Sequence, residues 1–444
     1  MRPIAIDLFA GAGGMSLGFE QAGFDVVGSV DIDPIHCAVH KFNFPECIVL
    51  PRSVSGLSGG EIRKQSGMGR REVAVVFGGA PCQGFSMIGH RALDDPRNSL
   101  VRDFVRVVSE LNSAYFVFEN VKGLTVGHHR MFLEELIQAF GDCGYTMQLP
   151  WQVLDAARFG VPQRRERLIL LGARKGLQLP EYPLPTCVPS DRLRTSNLPK
   201  GPTCKDALGD LPDAEAFTEL LDTDEVWTNN WGIPSAYARA MRCIGRGSWH
   251  YGYRRQWDPH LLTSSLRTNH TKISRRRFAN TQPGQIERIS RFYKLPADGL
   301  SNTLRAGTDS ARGAFTSPRP IHHRYLRCVT VREMARLHGF PDWFRFHATK
   351  WHGARQIGNA VPPPLARAIA DCIIEALGVQ PEHPERSVVL GNADLLRFDM
   401  SQASTYFGIR VPISRRDRKS GAKKRKQHEI EAELDRQNLF AALS

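Results

Sequence analysis

At 444 residues, of which 41% are apolar and 23% charged, the chain has enough hydrophobic sequence for a sizeable core, which excludes global disorder and leaves room for two domains. Its formal net charge of +14 favours a polyanionic partner, although charge alone does not name one. The nine cysteines include no Cys-x-x-Cys pair, against both a metal site and a secreted disulfide framework, and no apolar run approaches the ~20 residues of a membrane span.

Taken in chain order, Ile4 to Phe9 reads as a strand, Ala10 to Gly14 as a tight glycine loop and Met15 to Ala22 as a helix. Met1-Arg2-Pro3 leaves no room before that strand for a signal peptide, so a cytoplasmic protein is expected. Strand, glycine turn and helix present backbone N–H groups to a nucleotide-like ligand. Val26 to Val30 forms a second strand, ending in Asp31-Ile32-Asp33. Asp31 lies roughly 20 residues past the glycine loop, where an acidic residue accepts hydrogen bonds from ribose hydroxyls. It could equally cap the next helix.

Val73 to Phe77 is a continuous apolar run, the signature of a buried parallel strand. It runs into Gly78-Gly79-Ala80-Pro81-Cys82-Gln83-Gly84-Phe85-Ser86. A thiol just past the carboxyl end of such a strand sits where open α/β sheets bind ligands. The bland alternative is a free cysteine acting as a small buried hydrophobe. Met87 to Ser99 is polar, has little to bury, and is expected to be mobile. A helix begins near Ser99 with Leu100, Phe104, Val107, Val108 and Leu111 as its apolar residues. Tyr115 to Phe118 is another buried strand, and Glu119-Asn120-Val121 ends it. A carboxylate there is either a buried ion pair or a group that holds a proton. Gln163-Arg164-Arg165-Glu166-Arg167 then leads into a strand over Leu168 to Leu171.

Near residue 175 the strand–helix rhythm stops. Up to about Tyr325 the chain mixes Gly, Pro, aromatic residues and clustered base, including Trp249, Tyr251, Arg254, Arg255, Trp257 and Arg275 to Arg277. Aromatic residues interleaved with base suit nucleic-acid contact, or a lobe with an aromatic core. Thr330 and Glu333 form a capping box, and Gly339-Phe340-Pro341 stops that helix. Gln356-Ile357-Gly358-Asn359-Ala360-Val361-Pro362 precedes an apolar helix from Leu365 to Leu377. Arg410 to Lys426 carries nine basic residues against one acidic. It reads as a solvated tail that adds nonspecific DNA affinity, or as a nuclear signal. A short helix over Glu429 to Phe440 could follow, and Ser387 to Phe407 has no clear reading.

In order, these stretches resemble the motifs of DNA cytosine-5 methyltransferases of the bacterial restriction–modification type. The resemblance implies an α/β fold, a Rossmann-like S-adenosylmethionine-dependent methyltransferase sheet with a second, loop-rich target-recognition domain. It divides the chain into a catalytic and cofactor domain (1–185), a recognition domain (186–326), a return segment completing the first (327–380) and a basic extension (381–444). It implies S-adenosylmethionine as cofactor, held by Phe9, Gly11, Gly13, Gly14, Asp31, Ile32, Ser53, Pro81, Leu100, Asn359 and Ala360. Ser53 departs from the family, which carries Asp there for the adenine amino group. Cys82 would be the nucleophile, Glu119 the proton-holding group, and Arg165 and Arg167 would face the base, with Arg165 the one to touch it. Gln83, Ser86, Arg97, Thr303, Leu304 and Arg305 would contact duplex DNA. A monomer without metal is expected. The rivals are a dinucleotide oxidoreductase, whose Gly-x-Gly-x-x-Gly spacing is missing here, a catalytically inactive DNA-binding regulator, and a methyltransferase acting on RNA.

Overall fold

A computed structural model describes residues 2–81, 98–125, 129–193, 197–307 and 318–412. Five parallel strands, β1 (Ile4–Leu8), β2 (Asp25–Val30), β3 (Ile48–Leu50), β4 (Val73–Gly78) and β5 (Tyr115–Val121), continue into antiparallel β6 (Tyr145–Met147), β7 (Gln152–Asp155) and β8 (Glu166–Arg174). The strand order is β3-β2-β1-β4-β5-β8-β6, with β7 also on β8. Helices α1 (Gly14–Ala22), α2 (Pro34–Asn43), α3 (Gly59–Gln65), α4 (Ser99–Leu111) and α5 (His129–Asp142) alternate with the strands. The recognition region keeps only short elements: α6 (Cys204–Leu208), β9 (Val226–Trp227), α7 (Ala236–Met241), β10 (Arg254–Gln256), β11 (Leu261–Leu262) and α8 (Lys272–Asn280). Then come α9 (Val331–His338), α10 (Lys350–Asn359), α11 (Pro363–Leu377), β12 (Ser387–Val389) and α12 (Met400–Tyr406).

Both faces of the parallel sheet are covered, which is why its strands read as unbroken apolar runs. Side chains alternate between two cores as strand geometry requires. Phe116 and Phe118 pack with Phe104 of α4 and Phe140 of α5, whereas Tyr115 and Val117 pack with Phe19 of α1 and Ile369 of α11. Thr330 and Glu333 make the expected capping box on α9, and Gly339 closes it in the left-handed region at φ 85°.

The recognition region shares a core with the first domain. One cluster runs from Ala38 and Phe42 on α2 through Leu208 and Leu262 to Val331 and Phe344. Residues 381–409, of which Ser387 to Phe407 had no clear reading, form a strap across this seam. β12 pairs in parallel with β10, Arg386 ion-pairs with Glu46, and the Gly391 N–H donates to Phe42 O at 2.9 Å. Val388, Leu395, Leu396 and Ala403 are buried there. Most of the basic run and the expected helix over 429–440 lie outside the described residues.

Candidate active site

Strand order reverses direction between β1 and β4, and a cavity of about 880 Å³ opens there, at the carboxyl ends of the parallel strands, the place where open α/β sheets bind ligands. Phe9, Gly11, Gly14, Asp31, Ile32, Ser53, Pro81, Leu100, Asn359 and Ala360 all line it. So do Glu119, Arg165, Arg167, Thr303, Leu304 and Arg305. Gly13 stands just behind, as the N-cap of α1. Cys82, Gln83, Ser86 and Arg97 lie outside the described residues.

Loop geometry explains the glycines. Gly11 and Gly13 take φ of 55° and 98°, values glycine adopts freely. Phe9 also sits at φ 61°, a strained setting for a residue with a Cβ. A Cβ on Gly14 would come within 2.6 Å of Val361 O and 2.9 Å of the Ala360 Cβ. The return segment therefore closes directly onto the glycine loop. Asp31 clamps this corner: its Oδ2 accepts from Gly11 N and its Oδ1 from Asp33 N, both at 2.8 Å. Asp33, not Asp31, caps α2, leaving Asp31 with a carboxylate on the cavity wall. Ile32 is 64% exposed and presents an apolar side chain on the cavity wall. Ser53 lines the wall and accepts a hydrogen bond from Ser55 N at 3.3 Å. A cavity with apolar Phe9 and Ile32, a carboxylate, and close backbone approach fits an adenosyl amino-acid cofactor in both size and chemistry.

Beneath the loop lies a buried polar chain. Ser16 Oγ donates to Asp7 Oδ2 at 2.6 Å and meets His40 Nε2 at 3.1 Å. Burial pushes the Asp7 carboxyl up to about 8, against the Ser16 hydrogen bond that favours ionisation. The folded state therefore holds a proton that the unfolded chain releases near pH 4. This contribution to stability is complete below about pH 4 and is lost as pH rises toward 8. Asp7→Asn should accordingly flatten the pH dependence of the urea midpoint between pH 5 and pH 8. Equal slopes in the variant and wild type would rule this out.

At the other end of the cavity three strand ends meet. Asn120 Nδ2 donates to Ala80 O at 3.0 Å, fixing the start of the Pro81 loop. Glu119 Oε1 lies 2.8 Å from Arg167 Nε, and both side chains are nearly buried. β5 runs through to Val121 and β8 begins at Glu166, so the pair sits inside the sheet ladder. Arg167 opposes Val121 while Glu119 opposes Ile169, which makes them diagonal cross-strand neighbours. Gly79 is needed beside them, because a Cβ there would collide with Glu119 Oε2. Glu119 is thus ion-paired with Arg167, and the pair faces the cavity.

The structure gives Arg165 a different job from the one its sequence suggested. Its side chain is 1% exposed. One guanidinium nitrogen donates to Leu304 O at 3.0 Å, the other to Gly358 O and Ala360 O, both at 2.8 Å. Both terminal nitrogens are thus engaged by main-chain carbonyls, while Nε has no acceptor among the described residues, and Arg167 is the arginine beside Glu119. Leu304 is also buried, and its N–H bonds to Gln163 Oε1 at 3.0 Å. Thr303 Oγ1 donates to Arg164 O at 2.7 Å. Thr303 and Leu304 stitch the recognition region to this strand, and Arg305 is exposed. The sequence reading missed Asp33, His36, Asn120 and Gln356. Asp33, Asn120 and Gln356 stood inside quoted stretches without being given a role, and His36 alone stood outside them.

Comparison with known proteins gives concordant results. The family model for C-5 cytosine-specific DNA methylase matches residues 4–375. Type II methyltransferase M.XorII of Xanthomonas oryzae pv. oryzae is 57% identical over 429 residues, 96% of this chain and 98% of that one. Type II methyltransferase M1.HphI of Haemophilus parahaemolyticus is 33% identical over 83% of this chain and 86% of its own length. Among solved structures, a protein encoded within an E. coli prophage and assigned as a DNA modification methyltransferase superposes with a TM-score of 0.68 at 31% identity. It covers 85% of this chain and 100% of its own.

Proposed function

Since the chain belongs to the C-5 cytosine-specific DNA methylase family, and so is a DNA (cytosine-5) methyltransferase, we propose that it takes its methyl group from S-adenosylmethionine and works through a covalent Cys82–cytosine bond. The observation that carries this reading is the Glu119–Arg167 pair at the cavity, with the Ala80-Pro81 main chain leading to Cys82 pinned to Asn120. The relatives' names, both Type II methyltransferases, support a role in a restriction–modification system.

Cytosine C5 is a weak nucleophile and must be activated. The Cys82 thiolate adds to C6, its electron pair forming the S–C6 bond and the displaced ring electrons making C5 nucleophilic. Glu119, oriented by Arg167, bonds the N3 edge of the base and holds a proton there as the ring gains electron density. Bound S-adenosylmethionine would supply an electrophilic methyl group at C5. A base then removes the C5 proton, the C5=C6 bond re-forms and the Cys82 thiolate leaves. Phe9 and Ile32 would pack on the adenine, Asp31 would accept from the ribose, and Gly11 to Gly14 with Asn359 and Ala360 would enclose the methionine part. Ser53 offers a hydroxyl where adenine would lie. In a duplex C6 is out of reach, so the cytosine must be flipped out, at about a few kcal/mol, and contacts from the recognition region and from Gln83, Ser86, Arg97 and Arg305 offset this.

Duplex DNA carrying 5-fluorocytosine tests the proposal, because fluorine blocks the final elimination. A protein–DNA adduct stable in denaturing gels is expected, dependent on both S-adenosylmethionine and Cys82, and absent in Cys82→Ser. No adduct in any sequence context would sink the covalent mechanism.

A further inference from the structure

The turn from β2 into α2 places two carboxylates on the cavity wall, Asp31 and Asp33, with one histidine between them. His36 Nδ1 is 3.7 Å from Asp31 Oδ1, and His36 Nε2 is 3.7 Å from Asp33 Oδ2. His36 is itself on the cavity wall and 6% exposed. Its Nε2 has no acceptor within hydrogen-bond distance among the described residues, and neither has the buried Nε2 of Gln356 on the same wall. Two carboxylates two residues apart repel, and without a cation between them one would gain a proton. Asp31 would then lose part of its capacity to accept.

We propose that His36 is a positioning residue for the cofactor, a buried cation set between Asp31 and Asp33 that holds the Asp31 carboxylate ready to accept hydrogen bonds from the ribose. The inference rests on the cofactor reading above. Several groups act on His36. Asp33 and Asp31 favour its charged form, while burial and Arg355 of α10 oppose it. His347 and His352, packed nearby, are themselves kept neutral by burial. The carboxylates outweigh the opposing groups and hold His36 up at about 9. Asp31 in turn is held below the usual carboxylate range, burial being outweighed by His36. Cofactor affinity should therefore be flat across neutral pH and decline as pH rises through 9.

Calorimetric titration of S-adenosylmethionine and S-adenosylhomocysteine from pH 5 to pH 9.5 provides the test, using wild type, His36→Ala and His36→Lys. His36→Ala should weaken binding about tenfold or more and weaken it further below pH 6. His36→Lys restores the charge and should recover part of the loss. The loss should shrink for an S-adenosylhomocysteine analogue lacking both ribose hydroxyls, because Asp31 then has nothing to accept from. A merely structural histidine would lower thermal stability and turnover, and would weaken S-adenosylhomocysteine and its analogue without ribose hydroxyls alike, and that pattern overturns the proposal. So would an unchanged affinity and pH profile in His36→Ala. Failure of wild type to bind S-adenosylmethionine would overturn the cofactor reading together with this inference.

Discussion

Glu119→Gln should bind cofactor as wild type does, yet lose about 10²–10⁴ in turnover, the range for removing a positioned proton-holding group. Glutamine keeps the volume and one carbonyl acceptor for Arg167 Nε, so the contact at 2.8 Å can survive. What it cannot do is carry the proton at the N3 edge as the ring becomes electron-rich. Arg167→Met should fall in parallel, since an unheld carboxylate beside the cavity loses its orientation. The double variant should be little worse than either single one, because groups acting as a unit are strongly non-additive. Methyl incorporation into duplex DNA at saturating cofactor measures all three. Additive losses, or a Glu119→Gln enzyme at wild-type speed, would remove the pair from the chemistry.

Much of this site was legible because parallel strands buried on both faces have no alternative to long apolar runs. The ends of Ile4–Leu8, Asp25–Val30 and Val73–Gly78 could therefore be located, and the residues past those ends gather on one cavity wall. What failed depended on pairing rather than on local pattern. Arg165 and Arg167 are two apart, and period-two geometry alone cannot say which one meets Glu119. The antiparallel register of β8 on β5 decides it, by placing Arg167 diagonally across from Glu119. Leu304 resembled a contact residue in sequence, yet it is buried by a hydrogen bond from Arg165, 139 residues away. His36 had no motif around it, since its meaning comes from two carboxylates in a turn whose shape the sequence does not state. The strap over 381–409 was opaque for the same reason: its hydrophobic residues are few and its partners are α2 and β10, both distant in sequence.

Arg165→Met is expected to fail by stability and Arg167→Met by activity, and the contrast between them tests their roles. Burial, with Arg167 nearby, pushes the Arg165 guanidinium well below its ordinary value. Among the described residues no carboxylate lies within ion-pair distance of it. Removing so buried a cation relieves a desolvation penalty, and this offsets part of the loss. Main-chain carbonyls weigh on the other side: Leu304 O and Gly358 O would each lose a charged donor, whereas Ala360 O keeps His338 Nε2 at 3.0 Å. An unsatisfied buried acceptor costs about 1–3 kcal/mol, so two of them exceed the relief and leave a net loss of about 2 kcal/mol or more, a sizeable share of a typical ~5–15 kcal/mol. Arg165→Lys should not rescue, since one ammonium on a flexible stem cannot span three carbonyls that a planar fork holds. Gly358 and Ala360 line the cavity, so cofactor affinity should drop together with the melting temperature. Arg167→Met removes one partner of the nearly buried pair at the cavity wall, so its turnover should collapse while its melting temperature falls less than that of Arg165→Met. Thermal melts and methyl-transfer rates on the same preparations decide between them. A stable but inactive Arg165→Met would put that guanidinium back in contact with the base.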